Sequence, residues 1–207
     1  MSEGVDCVHC DAALIVVAKP AGLLAVPGRG PEGLDNLASR VQAIWPDALV
    51  VHRLDMVTSG LMLFGRGAAM QRSLSMAFAA RRVHKRYVAI VDGRLDADAG
   101  RIELPLAADW ARRPLQVVDA LRGKPALTHW RVVERGAAWT RLELEPVTGR
   151  SHQLRLHLQA IGHPIRGDAL YGALPPRGPR LLLHASWIAL AHPASGAAIE
   201  FTRRPPF

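Results

Sequence analysis

The sequence predicts an α+β protein, a mixed and largely antiparallel sheet flanked by helices. Three observations lead there. Apolar runs of strand length outnumber helical patterns, several of those runs are joined by turns short enough for hairpins, and three stretches carry apolar residues at helical spacing. A chain of 207 residues is long enough to bury a core of its own and short enough for one domain, spanning residues 1–207. Residues 1–11 are expected to be a flexible lead, and no internal repeat or low-complexity linker divides the rest.

Leu14-Ile15-Val16-Val17-Ala18 is a continuous apolar run, read as a buried strand ended by Lys19-Pro20, and residues 23–26 read as a second strand stopped by Pro27-Gly28. The period then changes. Leu34, Leu37, Ala38, Val41, Ile44 and Trp45 share a helical face that closes before Pro46. Val50-Val51 and Leu61-Met62-Leu63-Phe64 predict two buried strands with turn chemistry in Thr58-Ser59-Gly60. Residues 68–82 predict a helix that buries Met70, Leu74, Ala77 and Phe78, with Arg81 and Arg82 in its last turn at the negative end of the dipole. Residues 87–91 and 102–104 read as strands, and 109–114, with Trp110, Arg112 and Arg113, as an exposed basic loop. Residues 126–134 and 139–145 alternate on either side of Arg135-Gly136-Ala137, the pattern of a hairpin. A helix is expected from Thr148-Gly149-Arg150 to Ile161, capped by Ser151 and stopped by Gly162. A proline-rich loop with Arg177 and Arg180 follows, and residues 181–190 and 198–201 close the chain as strands.

Apolar residues make up 49% of the chain, yet none of their runs approaches the ~20 residues of a membrane-spanning helix. The first residues lack a signal-peptide pattern, so a cytoplasmic protein with no membrane partner is expected. A formal charge of +8 and a pI near 10.6 favour a polyanionic partner such as nucleic acid, against the plainer reading of a solvated basic surface. Cys7 and Cys10 stand in a Cys-Val-His-Cys pattern. A zinc knuckle would need two further ligands, and no second close Cys/His cluster supplies them, so free thiols and no metal are expected.

Between the apolar runs lies His52-Arg53-Leu54-Asp55, and the position of Asp55 near a strand end leaves two readings open. It is a structural residue that caps the turn or pairs with Arg53, or a catalytic carboxylate held at a sheet edge. His52-Arg53-Leu54-Asp55 with Thr58-Ser59-Gly60 resembles the signature of the RluA family of RNA pseudouridine synthases. Lys85-Arg86-Tyr87 resembles that family's second motif. Gly149-Arg150-Ser151-His152-Gln153-Leu154-Arg155-Leu156-His157, with Gly162-His163-Pro164-Ile165 and Gly167-Asp168 behind it, resembles the third. The likeness runs from Lys19-Pro20-Ala21-Gly22-Leu23 to the C-terminus. Gly22-Leu23-Leu24 with Val26-Pro27-Gly28-Arg29, Asp109-Trp110 with Arg113-Pro114, and Gly123-Lys124-Pro125-Ala126 are similar to the RluA branch itself, which acts on both 23S rRNA and the tRNA anticodon stem-loop.

The resemblance implies a pseudouridine synthase catalytic domain without a separate N-terminal S4 RNA-binding domain. It implies Asp55, Tyr87 and Arg150 as catalytic residues, with Arg150 pairing the ionised Asp55 and the Tyr87 ring stacking on the uracil. Arg53 would fill the gap left by a flipped nucleotide, and Leu154 would pack against the other side of the base. Arg81, Arg82, Lys85, Arg86, Arg112, Arg113 and Arg177 could hold phosphates. The partners implied are a tRNA anticodon stem-loop and a 23S rRNA hairpin, bound by a monomer that needs no cofactor. The isomerisation that the resemblance implies also accounts for a single strong carboxylate, where a nucleoside hydrolase or glycosidase normally requires a pair. A non-catalytic RNA-binding or ribosome-assembly factor is the alternative, and a pure binding module has no use for a buried Asp55. His52, His152 and His157 read as structural hydrogen-bonders.

Overall fold

The apolar runs around Val16 and Leu63 become strands covered on both faces, which is why neither alternates in sequence. A computed structural model of the chain describes residues 4–28 and 30–207, with Glu32 described by its backbone alone, and Arg29 of the Val26-Pro27-Gly28-Arg29 stretch lies outside the described residues. In chain order the elements are β1 (Asp6–Cys10), β2 (Leu14–Lys19), α1 (Leu37–Ile44), β3 (Ala48–Val50), β4 (Ser59–Arg66), α2 (Gly67–Ala79), β5 (His84–Asp92) and β6 (Ala99–Glu103). They continue with β7 (Leu106–Ala108), β8 (Gln116–Val118), β9 (Leu127–Arg135), β10 (Trp139–Pro146), α3 (Gln153–Ala160), β11 (Leu183–Ala191) and β12 (Ala198–Thr202). The class is α+β, as expected. The chain divides into two compact units, one reaching to Lys85 and taking in Ala185–Pro206, the other Arg86–His184 with Phe207.

In the first unit β1, β2 and β4 run side by side, β3 also pairs with β4, and β11 pairs with β12, each ladder antiparallel. Ile15, Val17, Met62 and Phe64 turn to one face and pack with Leu37, Ala38 and Val41 of α1. Leu14, Val16, Leu61 and Leu63 turn to the other and pack with Leu74 of α2 and Ile188 and Leu190 of β11. In the second unit the order is β5, β10, β9, β6, antiparallel throughout, with β7 and β8 as a separate small ladder. The hairpin read at residues 126–145 is β9 and β10.

Four local expectations are corrected. Residues 6–10 are not a flexible lead. They form β1, whose half-exposed edge position leaves no apolar period to read, although Val5 is buried in the core. Residues 23–26 are not a strand; Leu24 makes a single bridge to Asn36, and the Leu24 and Ala25 carbonyls accept the Leu37 and Ala38 amides at 2.8 and 3.2 Å. They thereby satisfy N–H groups that the first turn of α1 cannot pair internally. That helix begins after Asn36, whose buried side chain accepts the Ser39 amide at 2.9 Å, and leaves Leu34 exposed. Finally, α3 begins at Gln153 and not at residue 148, because His152 takes a left-handed φ of 54° that a continuing helix cannot contain.

Candidate active site

The loop between β3 and β4 carries His52, Arg53 and Asp55, and the first unit holds it from beneath. The Thr58 amide donates to the Asp55 carbonyl at 3.1 Å, so the turn falls at residues 55–58, while Ser59 and Gly60 already belong to β4. Gly60 has φ 118°, and a Cβ there would run into the Ala185 backbone, so only glycine fits at this point of the signature. The Met56 carbonyl, next to Asp55, accepts from the Gly22 amide and from Lys19 Nζ, both at 2.9 Å. Lys19 is 1% exposed and also donates to the Pro20 and Leu23 carbonyls at 2.8 and 2.7 Å, which occupies its three protons. Burial pushes the Lys19 ammonium down to about 8, opposed by the negative charge of Asp55. Sequence reasoning took Lys19 as the end of a strand and the start of the family likeness, and gave it no role of its own. Its signal lay in a lysine closing a fully apolar run.

His52 fixes the other side of the loop. Its Nε2 accepts the Leu63 amide at 2.9 Å and its ring stacks on Phe78 at 4.5 Å between centroids. Burial, with the Lys85 charge nearby, pushes its pKa down to about 3, so it stays neutral and serves as an acceptor. Lys85 Nζ lies 5.9 Å from the Phe78 centroid, and burial lowers its pKa. Asp55 is half-buried, and Arg53 and Met56 are exposed beside it. Arg81 and Arg82 fall beyond the end of α2, exposed, and not in its last turn. Their amides close the helix on the Phe78 and Ala77 carbonyls, with Arg81 at φ 57°.

In the second unit Tyr87 stands half-buried in β5 opposite Leu144, on the side of the strand that carries Ala89 and Val91, and Arg86 beside it is exposed. The third motif is organised by Gln153. Its side chain accepts from Thr148 Oγ1 at 2.7 Å and the Arg150 amide at 3.0 Å, and donates to the Leu127 carbonyl and Thr128 Oγ1, each at 3.0 Å. Gln153, and not Ser151, therefore anchors the start of α3. His157 completes the network between Thr128 Oγ1 and the Leu104 carbonyl, which keeps Nε2 protonated and Nδ1 an acceptor, and its burial lowers the pKa. His152 Nδ1 lies 2.8 Å from the Tyr171 hydroxyl.

Leu154 is buried, and the two arginines of the motif differ sharply. Arg150 is half-exposed, donates from Nε to the Pro125 carbonyl at 3.2 Å, and lines an open cleft together with Arg112. Arg155 is buried and forks onto Asp168 through two bonds of 2.7 Å, an arrangement that holds a charged guanidinium in place. The Gly167-Asp168 pair gains its reason here. Gly167, at φ 74°, packs where a Cβ would meet the Arg180 carbonyl, and Asp168 Oδ1 also accepts the Leu170 and Tyr171 amides. Arg113 stacks over the exposed Trp110 ring. Arg177 lies 3.7 Å from Asp92.

The family model described as RNA pseudouridylate synthase matches residues 13–160, which run through both units. The chain belongs to this family. The dual-specificity RNA pseudouridine synthase RluA of Pasteurella multocida (strain Pm70) is 45% identical over 207 residues, covering 98% of this chain and 94% of its own. Its namesake in Escherichia coli (strain K12) is 47% identical over 194 residues, covering 92% of this chain and 89% of its own. Among solved structures, human RNA pseudouridylate synthase domain containing 1 superposes with a TM-score of 0.83 at 27% identity, covering 100% of this chain and 86% of its own.

Proposed function

We propose that the chain isomerises specific uridines of structured RNA to pseudouridine, acting on a tRNA anticodon stem-loop and a 23S rRNA hairpin. The dual-specificity name of its relatives supports the pair of substrates. The observation that carries the catalytic reading is the Asp55 loop, a signature carboxylate braced by a buried lysine and a neutral histidine. A module that only binds RNA gains nothing from that expense.

In the reaction the N1–C1′ bond breaks, the uracil turns within the pocket, and C5 bonds to C1′. The proton lost from C5 is balanced by one gained at N1, so the RNA mass does not change. Asp55 serves as an ionised group that adds to the base, attacks the sugar or removes a sugar proton. The base must first leave its stack, at a cost of a few kcal/mol, and Arg53, exposed two residues before Asp55, takes the vacated place. Tyr87 stacks on the uracil and Leu154 lines the pocket. A guanidinium of the third motif keeps Asp55 ionised. Arg150 has that role by resemblance, and Arg155, already desolvated and oriented by Asp168, is the second candidate. Arg81, Arg82, Lys85, Arg86, Arg112 and Arg113 hold phosphates. The enzyme works as a cytoplasmic monomer, without metal or cofactor. No helix among the described residues is long and apolar enough to cross a membrane.

The test incubates the protein, without added metal, with an unmodified anticodon stem-loop and a 23S rRNA hairpin, and maps pseudouridine by carbodiimide-dependent primer extension. Wild type modifies both RNAs. Asp55→Asn retains binding and loses at least about a thousandfold in rate. Modification of one RNA alone removes the dual specificity, and an active Asp55→Asn removes the catalytic assignment.

A further inference from the structure

The second unit contains a cleft of about 820 Å³ in which, apart from Arg112 and Arg150, no lining residue has a part in the reaction as described. Its walls come from the loop after β7, the turn after β8, and Gly149-Arg150-Ser151 of the third motif. Neither Tyr87 nor Leu154 lines it. Four cationic side chains do, Arg112, Arg122, Lys124 and Arg150, against two carboxylates, Asp109 and Asp119.

Those carboxylates are spent on local structure. Asp109 accepts the Arg112 amide, and Asp119 accepts the Leu121 and Arg122 amides, so each closes its own turn and lies mostly covered, at 13% and 16% exposure. The arginines paired with them, Arg112 at 2.7 Å and Arg122 at 3.1 Å, remain 71% and 87% exposed. The negative charge therefore sits low and the positive charge faces outward. Trp110 stands at the same rim, 74% exposed, with the Arg113 guanidinium 3.6 Å from its ring centroid. An exposed indole backed on one face by a guanidinium leaves its other face as a flat platform, braced by a cation–π contact.

A flat aromatic face beside exposed guanidinium groups and an ammonium matches the chemistry of an unpaired nucleotide, whose base stacks while its phosphate is neutralised. We propose that this cleft is a second RNA subsite. It takes a splayed-out nucleotide of the substrate other than the target uridine, with the base on Trp110 and the phosphodiester among Arg112, Arg122 and Lys124. The proposal rests on the RNA pseudouridine synthase reading and adds a recognition element outside the reacting pocket. A phosphorylated peptide shares the phosphate but not the base, so the platform favours RNA.

The experiment measures pseudouridine formation on the same stem-loops by wild type, Trp110→Ala, Trp110→Phe, the double variant Arg122→Gln with Lys124→Gln, and Leu121→Ala as a control on the same turn. Circular dichroism confirms that each variant is folded. Trp110→Ala raises KM by about tenfold with the saturated single-turnover rate nearly unchanged, and Trp110→Phe restores most of the loss, as expected for base stacking. The double variant lowers the slope of log Kd against log salt by about 0.7 for the phosphate it releases. Photocrosslinking from 4-thiouridine placed at unpaired positions other than the target joins one of them to the Trp110 peptide. If wild type is active while Trp110→Ala and the double variant keep its KM and salt slope, the subsite is wrong and the synthase reading stands. If wild type forms no pseudouridine on any RNA, both fall. Competition by a phosphorylated peptide as effective as that by an oligoribonucleotide overturns the assignment to RNA.

Discussion

At the scale of single residues, Lys19 has the clearest consequences. It lies under the Asp55 loop, yet the partner that links it there, the Met56 carbonyl, is 37 positions away in sequence. Lys19→Met leaves the Pro20, Leu23 and Met56 carbonyls without this donor, each loss costing on the order of 1–3 kcal/mol where it leaves the group unsatisfied, and it removes a positive charge near Asp55. The expected result is a lower melting temperature and a lower kcat with KM little changed, measured beside Lys19→Arg. The same lysine sets a pH dependence. Its folded pKa of about 8 is below the ordinary 10.5, so between those values the unfolded chain holds more protons than the folded one. Its contribution to stability therefore rises with pH across that window, because the burial penalty is full below pH 8 and released above it. Activity moves the other way, since the charge supporting Asp55 is lost. The kcat of wild type is expected to fall as pH passes about 8, and the Lys19→Met profile to lack that step. A wild-type profile flat to pH 10 would sink this role for Lys19.

At the scale of elements, helix ends explain where the pattern misled. Apolar spacing marked the bodies of α1, α2 and α3, but the starts of α1 and α3 are set by side-chain and backbone groups that period alone does not reveal. Asn36 starts α1, His152 and Gln153 start α3, and α3 stops with the Gly162 amide on the Gln159 carbonyl and the His163 amide on Leu158. Arg81 occupies in α2 the left-handed position that Gly162 occupies in α3. A non-glycine residue there is strained, so Arg81→Gly is expected to stabilise the fold by about 0.5–1 kcal/mol in urea denaturation. If Arg81 also holds a phosphate, the same variant binds RNA more weakly. Stability gained together with affinity lost identifies both roles in one protein.

At the scale of the whole molecule, a formal charge of +8 on 207 residues predicts that affinity for RNA falls steeply with salt. Filter binding between about 50 and 200 mM salt should show a linear fall of log affinity with log salt, equal in slope for wild type and Asp55→Asn, since the role proposed for Asp55 involves no phosphate contact. A flat dependence would remove the basic residues from RNA binding altogether.

The sequence by itself determined the α+β class, the strands that build the two-faced core, and the signature around Asp55, because these rest on local period and short motifs. It also indicated that His52, His152 and His157 act as structural hydrogen-bonders. Only the tertiary structure decided that Lys19 pins the Asp55 loop, that Arg155 and not Arg150 is the buried guanidinium of the third motif, and that Trp110 and Lys124 meet at one cleft. The physical reason is distance along the chain. A buried charge is tolerated only where distant backbone and side-chain groups converge to satisfy it, and that convergence has no local signature in sequence.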